Sequence, residues 1–100
     1  MTIIIKDIIS EDLALRDTAQ MFFNKLEKLD ENNVTIDFSN IRSISRSFAH
    51  EYLAQKAKSK KEVSEVNMPA NIRKMFDLVQ RSSPKTKFID VNSVTVMTLQ

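Results

Sequence analysis

The chain has no glycine, cysteine or tryptophan and a single histidine among its 100 residues. Phosphate-cradling loops, dinucleotide fingerprints and nucleophile elbows need glycine where the backbone approaches a ligand or turns with positive φ. The lack of cysteine excludes disulfides and thiolate zinc sites, and one histidine cannot form a multi-histidine metal centre. No nucleophile, base and oxyanion donors recur at a recognisable spacing. We therefore predict a protein without metal, cofactor or enzymatic activity.

The composition is that of a folded domain. Hydrophobic residues make up 42% of the chain and charged residues 28%, close to the average for globular proteins. One hundred residues are enough to bury a single core, so the sequence predicts one domain over residues 1–100. No apolar run approaches the roughly 20 residues that cross a bilayer. We expect a cytoplasmic protein with no membrane contact.

Strand and helix patterns alternate along the first half of the chain. Residues 2–9 are rich in β-branched side chains and predict a first strand. Ser10 is positioned to cap a helix, which carries apolar residues at helical spacing at Leu15, Ala19, Phe22, Leu26 and Leu29. After a polar turn, residues 34–38 predict a second strand that ends at Asp37 and Phe38.

The same alternation continues to the end. A helix after Ser45 presents Phe48, Ala49, Tyr52 and Leu53 on one side, Glu62–Val66 predicts a strand, and a helix follows Pro69 with Ile72, Met75, Phe76 and Val79 on its apolar face. Residues 87–91 and 94–99 predict either two terminal strands or one bent strand. Strands separated by single helices predict an α/β fold: a mixed or mainly parallel sheet with crossover helices packed mainly on one face.

Four serines, Ser39, Ser43, Ser45 and Ser47, crowd the turn between the strand 34–38 and the next helix. A helix N-terminus carries unpaired N–H groups and the positive end of the helix dipole, so it favours anions, including a phosphate on a serine. Helix capping alone also accounts for serine at this place. His50 follows Ser47 by three residues and is either a general base for it or a solvent-facing residue, the second being the more common case.

Residues 37–51 read DFSNIRSISRSFAHE, and this segment resembles the signature of the STAS-like domains of unknown function. That family is related to the sulphate-transporter and anti-sigma-factor-antagonist fold, and it joins a central strand to a helix through an LDF end, a small turn and an SFADE segment. Asn67 and the following helix stand where the family has an N…V..M segment. The resemblance covers most of residues 1–80, leaves 85–100 uncovered and implies a STAS-like fold.

The resemblance also implies a function. In anti-sigma-factor antagonists, a kinase of the histidine-kinase ATPase superfamily phosphorylates a serine at the start of this helix, and the phosphate breaks binding to that partner. Ser47 stands at that position, although Phe48 replaces the glycine of the antagonists. We therefore predict a non-enzymatic regulatory or protein-interaction module, with homodimerisation left open. The predicted partner-binding or phosphorylation site comprises Ser43, Ser45, Arg46, Ser47, His50 and Glu51.

The alternative function is nucleic-acid binding. Lysines gather at the end of the helix after Ser45, at Lys56, Lys58, Lys60 and Lys61, although the net charge is only +2. A joined basic patch could hold a phosphate backbone with salt-dependent affinity. A solvated helix end is the commoner explanation, because no recognised nucleic-acid motif accompanies the lysines.

Overall fold

A three-stranded parallel sheet lies at the centre of residues 1–82, the part of the chain that the computed structural model describes. The strands that form it alternate with helices along the chain. In chain order the elements are β1 (Thr2–Ile4), α1 (Ile5–Ile8), β2 (Asp12–Leu13), α2 (Arg16–Glu27), β3 (Asn33–Asp37), β4 (Ser43–Ile44), α3 (Arg46–Lys58), β5 (Glu62–Val66) and α4 (Ala70–Ser82).

The strand order in the sheet is β1-β3-β5, so β3 is the central strand. Each strand is followed by a crossover that leads to its neighbour on the same side, and right-handed crossovers then place α2 and α3 on one face of the sheet. Helix α3 contacts both α2 and α4. The predicted α/β class, with parallel strands joined by crossover helices, is confirmed. The predicted strands at 87–91 and 94–99 lie outside the described residues.

The core lies between the central strand and the helix layer. Val34, Ile36 and Phe38 alternate along the chain at β3 and are all buried, because side chains two residues apart in a strand point to the same face. The Phe38 ring packs edge-on against Tyr52 and Phe76, with ring centroids 5.8 and 6.0 Å apart. The apolar faces predicted for the helices join one buried cluster, with Leu29, Leu53 and Met75 packed against it.

The structure corrects the N-terminal prediction in two places. The strand predicted for residues 2–9 ends at Ile4, which pairs with the last residue of β3, and the chain then makes the single turn α1 with Ile5 buried. Ser10 does not cap a helix, because its hydroxyl bonds the backbone of Asp12. Helix α2 begins after Leu15, which has no capping hydrogen bond and is 67% exposed rather than part of the apolar face.

A second, two-stranded sheet was not predicted. Strand β2 pairs in parallel with β4, so that Asp12 is opposite Ser43 and Leu13 is opposite Ile44. Residue 13 is fully buried. This pairing joins the segment before α2 to the segment before α3 and so positions the start of α3 next to the start of α2.

Candidate functional site

The N-terminus of α3 is held in place by Ser45. Its hydroxyl accepts a hydrogen bond from the backbone N–H of Phe48 at 3.0 Å and donates one to the carbonyl oxygen of Ala14 at 2.6 Å. The first contact is an N-cap, which satisfies one of the N–H groups that have no partner within the helix. The second attaches the cap to the segment after β2. The hydroxyl of Ser45 is therefore fully engaged, as the capping explanation predicts.

Ser43 lies in β4, where its hydroxyl donates to Asp12 Oδ1 at 2.7 Å. Arg42 donates two hydrogen bonds to the same carboxylate, from Nε to Oδ1 at 3.1 Å and from Nη2 to Oδ2 at 2.6 Å. Its guanidinium also forms a salt bridge with Glu11 at 3.3 Å. The hydrogen bonds from Arg42, followed by that from Ser43, hold the pKa of Asp12 below its ordinary value. The three residues Asp12, Arg42 and Ser43 form a clasp across the two-stranded sheet.

Ser47 differs from the other two serines. It is the second residue of α3 and is exposed, and its hydroxyl has no hydrogen-bond partner within residues 1–82. Arg46, before it, and His50, three residues after it, are exposed as well. The first turn of α3 contains no acidic residue, so no carboxylate there offsets the positive end of the helix dipole. Among the described residues, the side chains of these three make no hydrogen bond or salt bridge, so they present polar groups to solvent at a positively polarised helix end.

Glu51 belongs to the contact between helices rather than to this exposed group. Its Oε2 accepts hydrogen bonds from Gln55 at 2.8 Å and from Gln20 of α2 at 3.3 Å. The bond from Gln55 is the main cause that lowers the pKa of Glu51 below its ordinary value. Its carboxylate ties α2 to α3 and is half-buried.

A polar cluster that the sequence analysis missed lies at the C-terminal ends of β3 and β5. Asp37 Oδ1 accepts from the backbone N–H and the hydroxyl of Ser39 at 2.8 and 2.6 Å, and from Asn67 Nδ2 at 3.3 Å. The Ser39 bonds in particular lower the pKa of Asp37. Ser39 lies in the turn after β3, as predicted, and its hydroxyl bonds to Asp37 rather than at the start of α3. A carboxylate followed two residues later by serine is the local signal for such a turn.

The first of the four lysines proposed for nucleic-acid binding is paired with an acidic residue. Lys56 Nζ lies 2.9 Å from Glu65 Oε1, and Tyr52 donates its phenolic hydrogen to the other carboxylate oxygen at 2.8 Å. Burial of Tyr52, followed by the neighbouring negative charge, raises its pKa well above the ordinary value. This triad joins α3 to the edge strand β5.

The last of the four lysines has a structural contact of its own. Lys61 Nζ donates to the carbonyl oxygens of Leu29 and Glu31 at 2.8 and 2.6 Å and so closes the turn after α2. Lys58 and Lys60 are exposed. Within residues 1–82, the ammonium groups of these two lysines make no hydrogen bond or salt bridge, and nucleic-acid binding by this segment stays an untested prediction.

Among residues 1–82, no cluster of three or more histidine, aspartate or glutamate side chains is arranged to hold a metal ion. In the same residues, no helix combines the length and apolar character needed to span a bilayer.

Comparison with known proteins gives one match. No curated protein and no solved structure matches the chain significantly. The family model for the STAS-like domain of unknown function matches residues 18–67, a span that runs from the first turn of α2 to the end of β5. It includes Ser43, Ser45 and Ser47. Since the match takes in half of the sequence and its core elements, the chain belongs to the family of STAS-like domains of unknown function.

Proposed function

We propose that this domain is a non-enzymatic protein-interaction module that binds a partner at the N-terminus of α3 and is regulated through Ser47. One observation carries the proposal: of the three serines around this helix start, Ser47 alone is exposed with an unengaged hydroxyl within residues 1–82. The hydroxyls of Ser43 and Ser45 are used by the clasp and the cap. A modifying enzyme would therefore reach Ser47 without breaking a contact of the fold.

The electrostatics of the helix start suit a phosphate. Phosphorylation adds about −1.5 to −2 charges at neutral pH, and at Ser47 that charge would lie at the positive end of α3 beside the exposed Arg46. Arg42 is not available to receive it, because Asp12 and Glu11 hold its guanidinium. The fold tolerates the phosphate, while the surface around Arg46 changes from positive to negative.

This change in charge supplies a switch. A partner that docks against a positive helix end loses attraction when the phosphate arrives, since like charges facing each other across an interface are strongly unfavourable. The resemblance to anti-sigma-factor antagonists suggests an ATPase of the histidine-kinase type as both the partner and the source of the phosphate. Arg46 and His50 are the neighbours that the partner would contact.

The test is affinity purification of the full chain from its native cells, with partners and phosphorylated residues identified by mass spectrometry. We expect wild type and Ser47→Ala to recover the same kinase-type ATPase, and Ser47→Asp to recover about tenfold less, which corresponds to roughly 1.4 kcal/mol of binding free energy. Phosphate should be found on Ser47 of the wild type.

The matched control is Ser64→Asp, which places the same charge on an exposed serine of β5 away from the helix start. It should recover the partner as wild type does. Equal recovery by Ser47→Asp and wild type, with no phosphate on Ser47, would leave the residue with no part in a switch.

A further inference from the structure

An apolar groove lies beside β1, at the edge of the sheet opposite β5. Its volume is about 320 Å³. It is formed by side chains from β1, α1 and α2 and by the residues next to them, namely Met1, Ile3, Ile8, Phe22, Leu26 and Leu29. Lys25 of α2 also lines it. The outer backbone of β1 pairs with no other strand of residues 1–82.

Apolar side chains protrude around the same groove. Met1 and Ile8, which line the groove, are 56% and 44% exposed, and Met21, one helical turn before Lys25, is 58% exposed. Sheet edges that stay free in solution are commonly protected by charged residues or proline, and β1 consists of threonine and two isoleucines. We call this region, from β1 through α1 to the Met21 side of α2, the β1-edge surface.

We propose that the β1-edge surface is the interface of a homodimer, in which a second copy of this chain covers the groove. The surface carries both a recess and protruding apolar side chains, so two copies related by a two-fold axis can each insert residues into the recess of the other. A two-fold interface requires such self-complementarity, because the same patch serves both copies. Covering it removes several exposed apolar side chains from water together.

The charges on α2 favour the same arrangement. Asp17, Met21 and Lys25 follow one another at intervals of four residues, and all three are exposed. In an antiparallel pair of α2 helices centred on Met21, Asp17 of one copy lies opposite Lys25 of the other, on both sides of the axis. The row therefore pairs opposite charges when it meets itself, which favours a second copy of this chain as the occupant.

The experiment is sedimentation equilibrium of the full chain, which measures the dimer dissociation constant. We expect wild type to dimerise and Lys25→Glu to dimerise at least about tenfold more weakly, because the new glutamate faces Asp17 of the other copy. Asp17→Lys should weaken the dimer in the same way. The double variant Asp17→Lys/Lys25→Glu should recover most of the affinity, since it restores opposite charges across the axis.

Two controls separate this interface from others. Lys58→Glu makes the same charge change on the exposed side of α3 and should leave the dimer intact. Val66→Glu places a charge on the other edge strand, β5, and should also leave it intact. A monomeric wild type, a dimer that Lys25→Glu and Asp17→Lys leave unchanged, a double variant no tighter than either single variant, or a dimer lost in Val66→Glu would each overturn the proposal. The dimer does not depend on the proposed role of Ser47.

Discussion

Three serines of similar sequence context have different roles because different groups lie within reach of their hydroxyls. The hydroxyl of Ser45 bonds with the N–H of Phe48 and the carbonyl of Ala14. That of Ser43 donates to the carboxylate of Asp12. Ser47, inside the first turn, points to solvent. The family resemblance singled out Ser47, but sequence alone could not rank the three hydroxyls by their contacts, because Ala14 and Asp12 come close only through the pairing of β2 with β4.

This ranking predicts different effects on stability. Ser45→Ala should lower the free energy of unfolding by about 1–2 kcal/mol, because the change removes the cap of α3 and leaves the carbonyl of Ala14 without its partner. Ser47→Ala should change it by less than about 0.5 kcal/mol, as is usual for exposed positions. Urea unfolding monitored by circular dichroism measures both. A loss in Ser47→Ala as large as that in Ser45→Ala would mean that the two hydroxyls are wrongly assigned.

Tyr52 makes a pH-dependent contribution that can be observed directly. It is the only tyrosine of the chain, and its pKa is raised by burial and by Glu65. Because folding raises the pKa, the stabilisation is complete below the unfolded value of about 10 and is lost as pH rises from there toward the folded pKa. We expect no tyrosinate absorbance near 295 nm at pH 10.5 until the protein is unfolded by denaturant.

Tyr52→Phe is the matched control for this effect. It keeps the ring in the core and removes the titrating group, so its stability should fall less steeply than that of wild type above pH 10. Lysine titration is common to both proteins and cancels in the comparison. A native protein whose phenol titrates near pH 10 would show that Tyr52 is accessible to water.

At the scale of elements, the local sequence pattern was sufficient to predict a helix or strand where that element buries a clear apolar face. Helices α2, α3 and α4 and strands β3 and β5 follow from apolar spacing, and the turn into α3 followed from its serines. The structure of residues 2–9 could not be predicted from the local pattern. Their β-branched side chains favour a strand throughout, but β3 ends at Asp37, which pairs with Ile4, so the residues after Ile4 have no β3 residue to pair with. The β2–β4 pairing has only two residues on each side, which is too short for any periodicity.

The same limit applies to the candidate site. Its central residues, Ser45, Arg46 and Ser47, could be named from the sequence because they adjoin a recognisable helix start. The clasp and the Asp37 cluster could not, because each joins groups about 30 residues apart. The hydrogen bonds of Lys56 to Glu65 and of Lys61 to backbone carbonyl oxygens could not be predicted either. A run of charged residues does not indicate which of them have partners in the fold.

For the molecule as described over residues 1–82, stability depends on a core whose aromatic rings connect the sheet to helices α2, α3 and α4. Tyr52 of α3 contacts Phe23 of α2, Phe38 after β3 and Phe76 of α4, with ring centroids 5.0 to 5.8 Å apart. Edge-to-face pairs of this kind add roughly 0.5–1.5 kcal/mol each beyond their burial. Because the chain has no cysteine and therefore no disulfide, the fold of residues 1–82 depends on non-covalent packing such as that of these rings.

Phe38 is the residue at which this dependence is best tested. It is fully buried and belongs to both the central strand end and the ring cluster, so Phe38→Ala should lower the free energy of unfolding by about 3–5 kcal/mol, a large part of the total for a domain of this size. Leu15→Ala, which truncates an exposed apolar side chain, is the control and should cost less than about 0.5 kcal/mol. Thermal and urea unfolding report both. If Phe38→Ala kept its melting temperature within about two degrees of wild type, the ring cluster would not be the structural centre of the domain.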